Sequence, residues 1–161
     1  MAHRLLGETL EILADLIGFA SVSSESNLEM IAYINHRLDQ IGTRTYLTLN
    51  ETGNKANLFA TLGPPEADGG IVLSGHTDVV PVEGQDWSSD PFTATLRNRR
   101  IYGRGACDMK GFIACALAFA PYFQEIGLKR PIHLAFTYDE EVGCLGADVM
   151  LKELKATGRV F

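Results

Sequence analysis

The sequence predicts an α/β fold of three layers, a mostly parallel sheet flanked by helices. Short apolar runs alternate along the chain with stretches of helical period, the pattern that builds such layers. Three clusters of His or carboxylate residues each follow directly on an apolar run or a tight turn. In sheets of this class ligands gather beyond the carboxyl ends of the strands, and that is where these clusters fall.

Leu6, Leu10, Leu13, Ala14 and Ile17 recur at three- and four-residue intervals and predict an amphipathic helix over about 5–19. Ser21-Val22-Ser23-Ser24 breaks it. Ser26 and Glu29 read as a capping box opening a second helix. Its stripe is Leu28, Ile31, Ile34, Leu38 and Ile41, and Gly42 stands where a helix ends. Residues 44–49 and 57–62 read as strands, with a surface turn from Gly63 to Gly70. Ile71-Val72-Leu73 reads as a strand buried on both faces. Residues 93–102 predict an antiparallel excursion turning at Arg97-Asn98-Arg99-Arg100. An Ala-rich helix over 109–126, a strand over 131–138 and a helix over about 145–155 complete the alternation.

The chain has 161 residues, 46% hydrophobic and 21% charged, which is enough for one domain with a core. A net charge of −6 argues against nucleic acid or an anionic membrane as partner. No run approaches the roughly 18 apolar residues of a membrane span. Glu8 comes too early for a secretory signal. Three cysteines without a Cys-x-x-Cys pair predict a reduced, cytoplasmic protein, with Cys107, Cys115 and Cys144 as buried or near-core thiols.

The chemistry lies in Ser74-Gly75-His76-Thr77-Asp78-Val79-Val80-Pro81, in Gly103-Arg104-Gly105-Ala106-Cys107-Asp108-Met109-Lys110-Gly111, and in Tyr138-Asp139-Glu140-Glu141-Val142-Gly143. Asp108 follows His76 by 32 residues, and Glu140 follows Asp108 by the same interval. One imidazole with several carboxylates is a ligand set for zinc or a similar divalent ion. A carboxylate left over beside the metal is the base that metal-assisted hydrolysis needs.

These motifs resemble the two-zinc amidohydrolases, a superfamily that includes acetylornithine deacetylase, succinyl-diaminopimelate desuccinylase, aminoacylases and glutamate-releasing carboxypeptidases. Trp87-Ser88-Ser89-Asp90-Pro91-Phe92 and Tyr138 to Gly146 are most similar to its acetylornithine deacetylase branch. The resemblance implies two Zn2+ ions, with Co2+ a possible substitute. It implies His76 as ligand of one ion, Asp108 as bridge, Glu141 as ligand of the other, Glu140 as general base and Asp78 as partner of His76. It also implies a cis peptide at Asp108–Met109. The chemistry agrees with these roles. A bridge must offer two oxygens to cations roughly 3.5–4 Å apart, which a carboxylate does and an imidazole does not. A carboxylate two residues along can take the second ring N–H of His76. Neighbouring Glu140 and Glu141 diverge, so one can bind metal while the other faces water.

Each residue also has a plainer reading. His76 alone could be a satisfied structural histidine, Asp108 a helix cap, and Glu140 with Glu141 a solvated acidic turn. Gly103-Arg104-Gly105 lacks the Gly-x-Gly-x-x-Gly pattern and reads as a tight loop. Trp87 reads equally as a lining of the approach or as a loop anchor. His3, His36 and His133 read as structural or exposed, and Lys110 receives no role.

The resemblance further implies that residues 1–161 are the N-terminal portion of a catalytic domain. A lid or dimerisation domain and two more ligands, a carboxylate and a late His, would lie beyond Phe161. The expected partner is a small N-acyl amino acid, N2-acetylornithine first and N-succinyl-diaminopimelate next, and the full-length form would be a homodimer. These 161 residues alone would bind zinc weakly and hydrolyse little. A truncated, catalytically dead binding or regulatory piece is the non-enzymatic alternative.

Overall fold

Residues 2–158 are described by the computed structural model, in which helix and strand alternate as their periodicities predict. Helix α1 (Ala2–Gly18) and helix α2 (Leu28–Asp39) precede strands β1 (Thr45–Leu49), β2 (Ala56–Leu62) and β3 (Ile71–His76). A small hairpin of β4 (Thr95–Arg97) and β5 (Arg100–Tyr102) follows. Helix α3 (Lys110–Glu125), strand β6 (Ile132–Thr137) and helix α4 (Leu145–Ala156) complete the order.

Alternation along the strands builds the three layers. Ala56, Leu58, Ala60 and Leu62 of β2 join Ile132, Leu134 and Phe136 of β6 on the face covered by α1, α2 and α3. Phe59 and Ala135 point the other way, onto Met150 and Leu154 of α4. Successive side chains on a strand face opposite sides, so each face gathers its own core.

The α/β layering is as expected, and the pairing within the sheet is mixed. Among the described residues the order is β1-β2-β6-β3, with β3 parallel to β6 and the β1–β2 and β2–β6 pairs antiparallel. The short turn between β1 and β2 makes that first pair a hairpin, which can only be antiparallel. Strand β3 forms an edge of these four strands. Ile71 and Val72 are therefore 56% and 41% exposed, where burial on both faces was expected from the apolar run.

Further local corrections have tertiary causes. The buried stripe of α1 is Ile12, Leu13, Leu16 and Ile17, while Leu6, Leu10 and Ala14 face outward. Apolar residues ring the start of this helix, and contact with α3 selects the inward face. The expected capping box does not form. Asn27 is the N-cap of α2 without a side-chain cap bond, and Leu28 N–H donates to Ser26 Oγ at 3.2 Å. The Asn27 side chain is drawn inward instead, donating to Ala56 O and to Thr77 Oγ1, both at 2.8 Å. At the far end, Gly42 at φ 72° lets its own N–H reach Asp39 O and Thr43 N–H reach Leu38 O, the Schellman closure.

The β4–β5 turn has Asn98 and Arg99 both at positive φ, as a two-residue hairpin loop requires. All three cysteines are exposed and free rather than near-core. Cys115 lies on the outward side of α3, and Cys107 and Cys144 lie in loops. Among the described residues no helix is long and apolar enough to cross a membrane.

Candidate metal centre

Parallel pairing of β3 with β6 sets the site. The register places His76 beside Thr137, so both strands end level at their carboxyl ends. The loops that leave them carry His76–Asp78 and Asp139–Glu141. Thr77 locks the two exits together, its N–H and its Oγ1 both donating to Thr137 O at 2.7 and 2.9 Å. Asp108 arrives from the turn before α3, which packs against β3.

One nitrogen, Nε2 of His76, lies 3.0 Å from Asp108 Oδ1 and 3.9 Å from Glu140 Oε2. Donor atoms of His76, Glu140 and Glu141 lie within 4.8 Å of one another. His76 is buried, whereas the side chains of Asp108 and Glu140 are 76% and 46% exposed. The cluster thus has a buried imidazole at its floor and carboxylates at an open rim. The peptide Asp108–Met109 is cis, the form that the resemblance implies.

The other ring nitrogen settles the tautomer. His76 Nδ1 lies 2.9 Å from the carbonyl oxygen of Asp78, which can only accept, so Nδ1 carries a proton. In the neutral ring the lone pair then sits on Nε2, facing the carboxylates. The Asp78 carboxylate stands farther off, with Oδ1 3.6 Å from Nδ1. That carboxylate chiefly serves the acidic loop. It accepts the N–H of Glu140 at 3.0 Å, the N–H of Glu141 at 3.2 Å and the hydroxyl of Ser23 at 2.7 Å.

The charges bear on what the cluster can hold. The Asp78 carboxylate, with further help from its carbonyl and from Asp108, raises His76 to about 9 against the opposing effect of burial. Burial would raise Asp78, but His76, Ser23 and the two N–H groups outweigh it and hold the carboxyl at about 2. Desolvation pushes Glu141 up, as do the neighbouring carboxylates of Asp108, Glu140 and Asp78, while His76 pulls it down. Crowded carboxylates around one imidazole lone pair are the donor set that a divalent cation neutralises. These residues fit such an ion.

Several contributors escaped the sequence reading. Ser23 was seen only as part of a helix break, and Lys55 and Asn27 were not singled out. Lys55 is buried at the start of β2, where its Nζ donates to Asp139 Oδ1 at 2.6 Å and to Ser23 O at 2.5 Å. The only sequence signal was a lone lysine directly before a buried strand. Lys110 is fully buried, donates to Phe19 O at 2.6 Å and is lowered to about 8 by desolvation. Trp87 is half-buried beneath the Arg104 guanidinium, 5.1 Å from its ring centre, as a loop anchor would be. His3 and His36 are exposed, and His133 stacks on Phe59 and meets Thr61 away from the cluster.

The profile of Peptidase family M20/M25/M40 matches residues 72–160, more than half of the chain and the stretch that contains all three motifs. The chain belongs to this family. It is 35% identical over 150 residues to an acetylornithine deacetylase of Pasteurella multocida, covering 89% of this chain. It is 37% identical over 145 residues to an acetylornithine deacetylase of Photorhabdus laumondii, covering 86%. The chain spans 39% and 37% of the length of these two relatives. Among solved structures it resembles an M20 family metallo-carboxypeptidase from Sulfolobus solfataricus. That match has 25% identity and a TM-score of 0.80, covering 93% of this chain and 35% of the other. Human carnosine dipeptidase 1 matches with a TM-score of 0.76 at 24% identity, covering 92% of this chain and 35% of the other, and shares the fold.

Proposed function

We propose that this chain is the N-terminal part of the catalytic domain of a metal-dependent amidohydrolase acting on N-acyl amino acids. N2-acetylornithine is the first candidate substrate, giving ornithine and acetate in arginine biosynthesis. The observation that carries the reading is the convergence of His76, Glu140 and Glu141 donors, with Asp108 against His76, at the shared carboxyl end of β3 and β6. The names of the relatives at 35% and 37% identity support the choice of substrate. The same reading takes the whole enzyme as a cytoplasmic homodimer that binds two Zn2+ ions, with Co2+ as a substitute.

His76 Nε2, Asp108 and Glu141 would hold the ions, with Asp108 as bridge. Ions held there would supply polarisation of the amide carbonyl and would lower the pKa of a water from about 15.7 towards 7. The chain's own residues then do the following work. Asp78 O keeps the Nδ1 proton of His76 in place, so Nε2 stays available as a donor. Glu140, exposed at the rim, takes a proton from the water as the water's oxygen bonds to the amide carbon, and returns it to the amine nitrogen as the C–N bond breaks. Asp78, through two N–H bonds, orients the backbone that carries both glutamates.

Turnover of N2-acetylornithine and N-succinyl-diaminopimelate, by this chain joined to the remainder of its catalytic domain, tests the reading. The expected result is faster release of acetate from acetylornithine, abolished by a chelator and restored by Zn2+ or Co2+. Glu140→Gln should lower kcat by about 10²–10⁴ while the protein still binds metal. Faster turnover of the succinyl substrate would move the assignment to desuccinylase. Metal-independent turnover, or no turnover of any acyl amino acid, would sink it in favour of a binding or regulatory piece.

A further inference from the structure

Two hydrogen-bonded arms run from the loop between α1 and α2 to the two loops of the metal centre. Val22 bridges to Val79 in parallel fashion, with Ser23 N–H on Val79 O at 3.1 Å and Val79 N–H on Ser21 O at 3.0 Å. Ser21 Oγ adds a bond to Thr77 O at 2.6 Å. From this platform Ser23 Oγ reaches Asp78 Oδ2, and Ser23 O receives Lys55 Nζ. Lys55 also pairs with Asp139 Oδ1. Asp139 precedes Glu140 and Glu141, whose N–H groups return to Asp78. The contacts close a ring: Asp78, Ser23, Lys55, Asp139, the Glu140–Glu141 backbone and Asp78 again.

We infer that Ser23 and Lys55 are positioning residues that set the Glu140–Glu141 pair against His76 by gripping Asp78 and Asp139 from behind. The inference rests on the metal-centre reading above and deepens it. Asp139 sits at φ 56°, a left-handed conformation that its bond to Lys55 holds and that aims the following two N–H groups at one carboxylate. Ser23, Lys55, Asp78 and Asp139 are all buried, so water does not replace a lost partner without rearrangement. A buried pair also resists removal of one charge more than removal of both. Neither Ser23 nor Lys55 is in the donor cluster. Their effect must pass through the carboxylate and the turn they hold. Bonds behind metal ligands typically change affinity or activity by about 10–100-fold when cut.

The test uses this chain joined to the remainder of its catalytic domain, with Ser23→Ala, Lys55→Met, Lys55→Arg and the charge-neutral double variant Lys55→Met/Asp139→Asn. Two quantities are read: Co2+ affinity from its visible absorption, and amide exchange at Glu140 and Glu141 in metal-free protein. Ser23→Ala and Lys55→Met should each weaken Co2+ by about tenfold or more. Both should speed exchange at those two amides while leaving Leu58 and Leu134 in the sheet protected. Lys55→Arg should restore most of both signals, a rescue that a mere filler of space would not show. Unchanged affinity and exchange in Ser23→Ala and Lys55→Met would overturn the inference, as would failure of Lys55→Arg to rescue. Should Lys55→Met fail to fold, Ser23→Ala and the double variant decide by the same two readouts. Absence of Co2+ binding by the unmodified protein, with the remainder of its catalytic domain attached, would sink the metal reading alone, and the exchange rates would still judge the ring.

Discussion

His76 is the residue at which charge, tautomer and metal affinity meet. In metal-free protein its raised pKa of about 9 means that Nε2 is protonated at pH 7 and donates to Asp108. A cation must displace that proton. Metal binding at pH 7 should therefore release a proton, and affinity should climb by up to about tenfold per pH unit until pH 9. Calorimetry in buffers of different ionisation enthalpy reads this directly; equal heats in all of them would contradict it. The sign for stability is the reverse. The contribution of His76 to the metal-free fold is complete below its unfolded value of 6.5 and is lost as pH rises through about 9. Thermal melts between those limits should fall with pH in chelator, and fall less or rise in saturating metal. Asp78 acts at the other end of the scale. Held at about 2, it stabilises the fold above pH 4 by about 2 kcal/mol, at 1.36 kcal/mol per unit, and loses that stabilisation as pH falls through 2.

At the level of elements, the site depends on β6 handing over to α4 within a very small space. Gly146 N–H donates to Tyr138 O at 3.1 Å, and Asn57 clasps the same turn, donating to Gly146 O at 2.9 Å and accepting from Tyr138 N–H at 3.2 Å. A Cβ on residue 146 would stand 2.4 Å from Tyr138 O and 2.6 Å from Asn57 Oδ1. Gly146→Ala should thus destabilise the chain by on the order of 2–3 kcal/mol, read as a lower urea midpoint. It should also weaken metal binding, because relief of the clash pushes α4 away from the Asp139–Glu141 turn. Gly7→Ala, inside helix α1 and with nothing within 4 Å of the added carbon, should leave metal binding unchanged and raise stability by up to about 1 kcal/mol.

For the whole molecule, the donor count sets the expectation. On the proposed reading His76, Asp108 and Glu141 are the residues of the 161 that would hold the ions, fewer than three for each of two catalytic zincs. On that reading residues 1–161 by themselves should bind Zn2+ weakly and turn over acetylornithine at a small fraction of the rate reached when joined to the rest of a catalytic domain. Equilibrium dialysis and acetate release on both forms check this; equal turnover would show that the additional ligands are not needed. Exposed Ile71 and Val72 on β3 agree with a sheet edge that such an attachment could cover.

Composition, period and motif order determined the layers, the element boundaries to within a few residues, and the edge of the sheet where chemistry collects. These depend on local spacing: a strand shows as an apolar run, a helix as a 3.6-residue recurrence, and a ligand loop as polar residues following either. Tertiary structure alone decided the inward face of α1, the exposure of β3 and the mixed pairing of the sheet. It also decided the roles of Asn27, Ser23 and Lys55. Ser23 meets Asp78 across 55 residues of chain, and Lys55 meets Asp139 across 84. A serine in a helix break and a lysine before a strand look ordinary in sequence, because nothing local distinguishes a solvated polar group from one whose partner arrives only when the sheet closes.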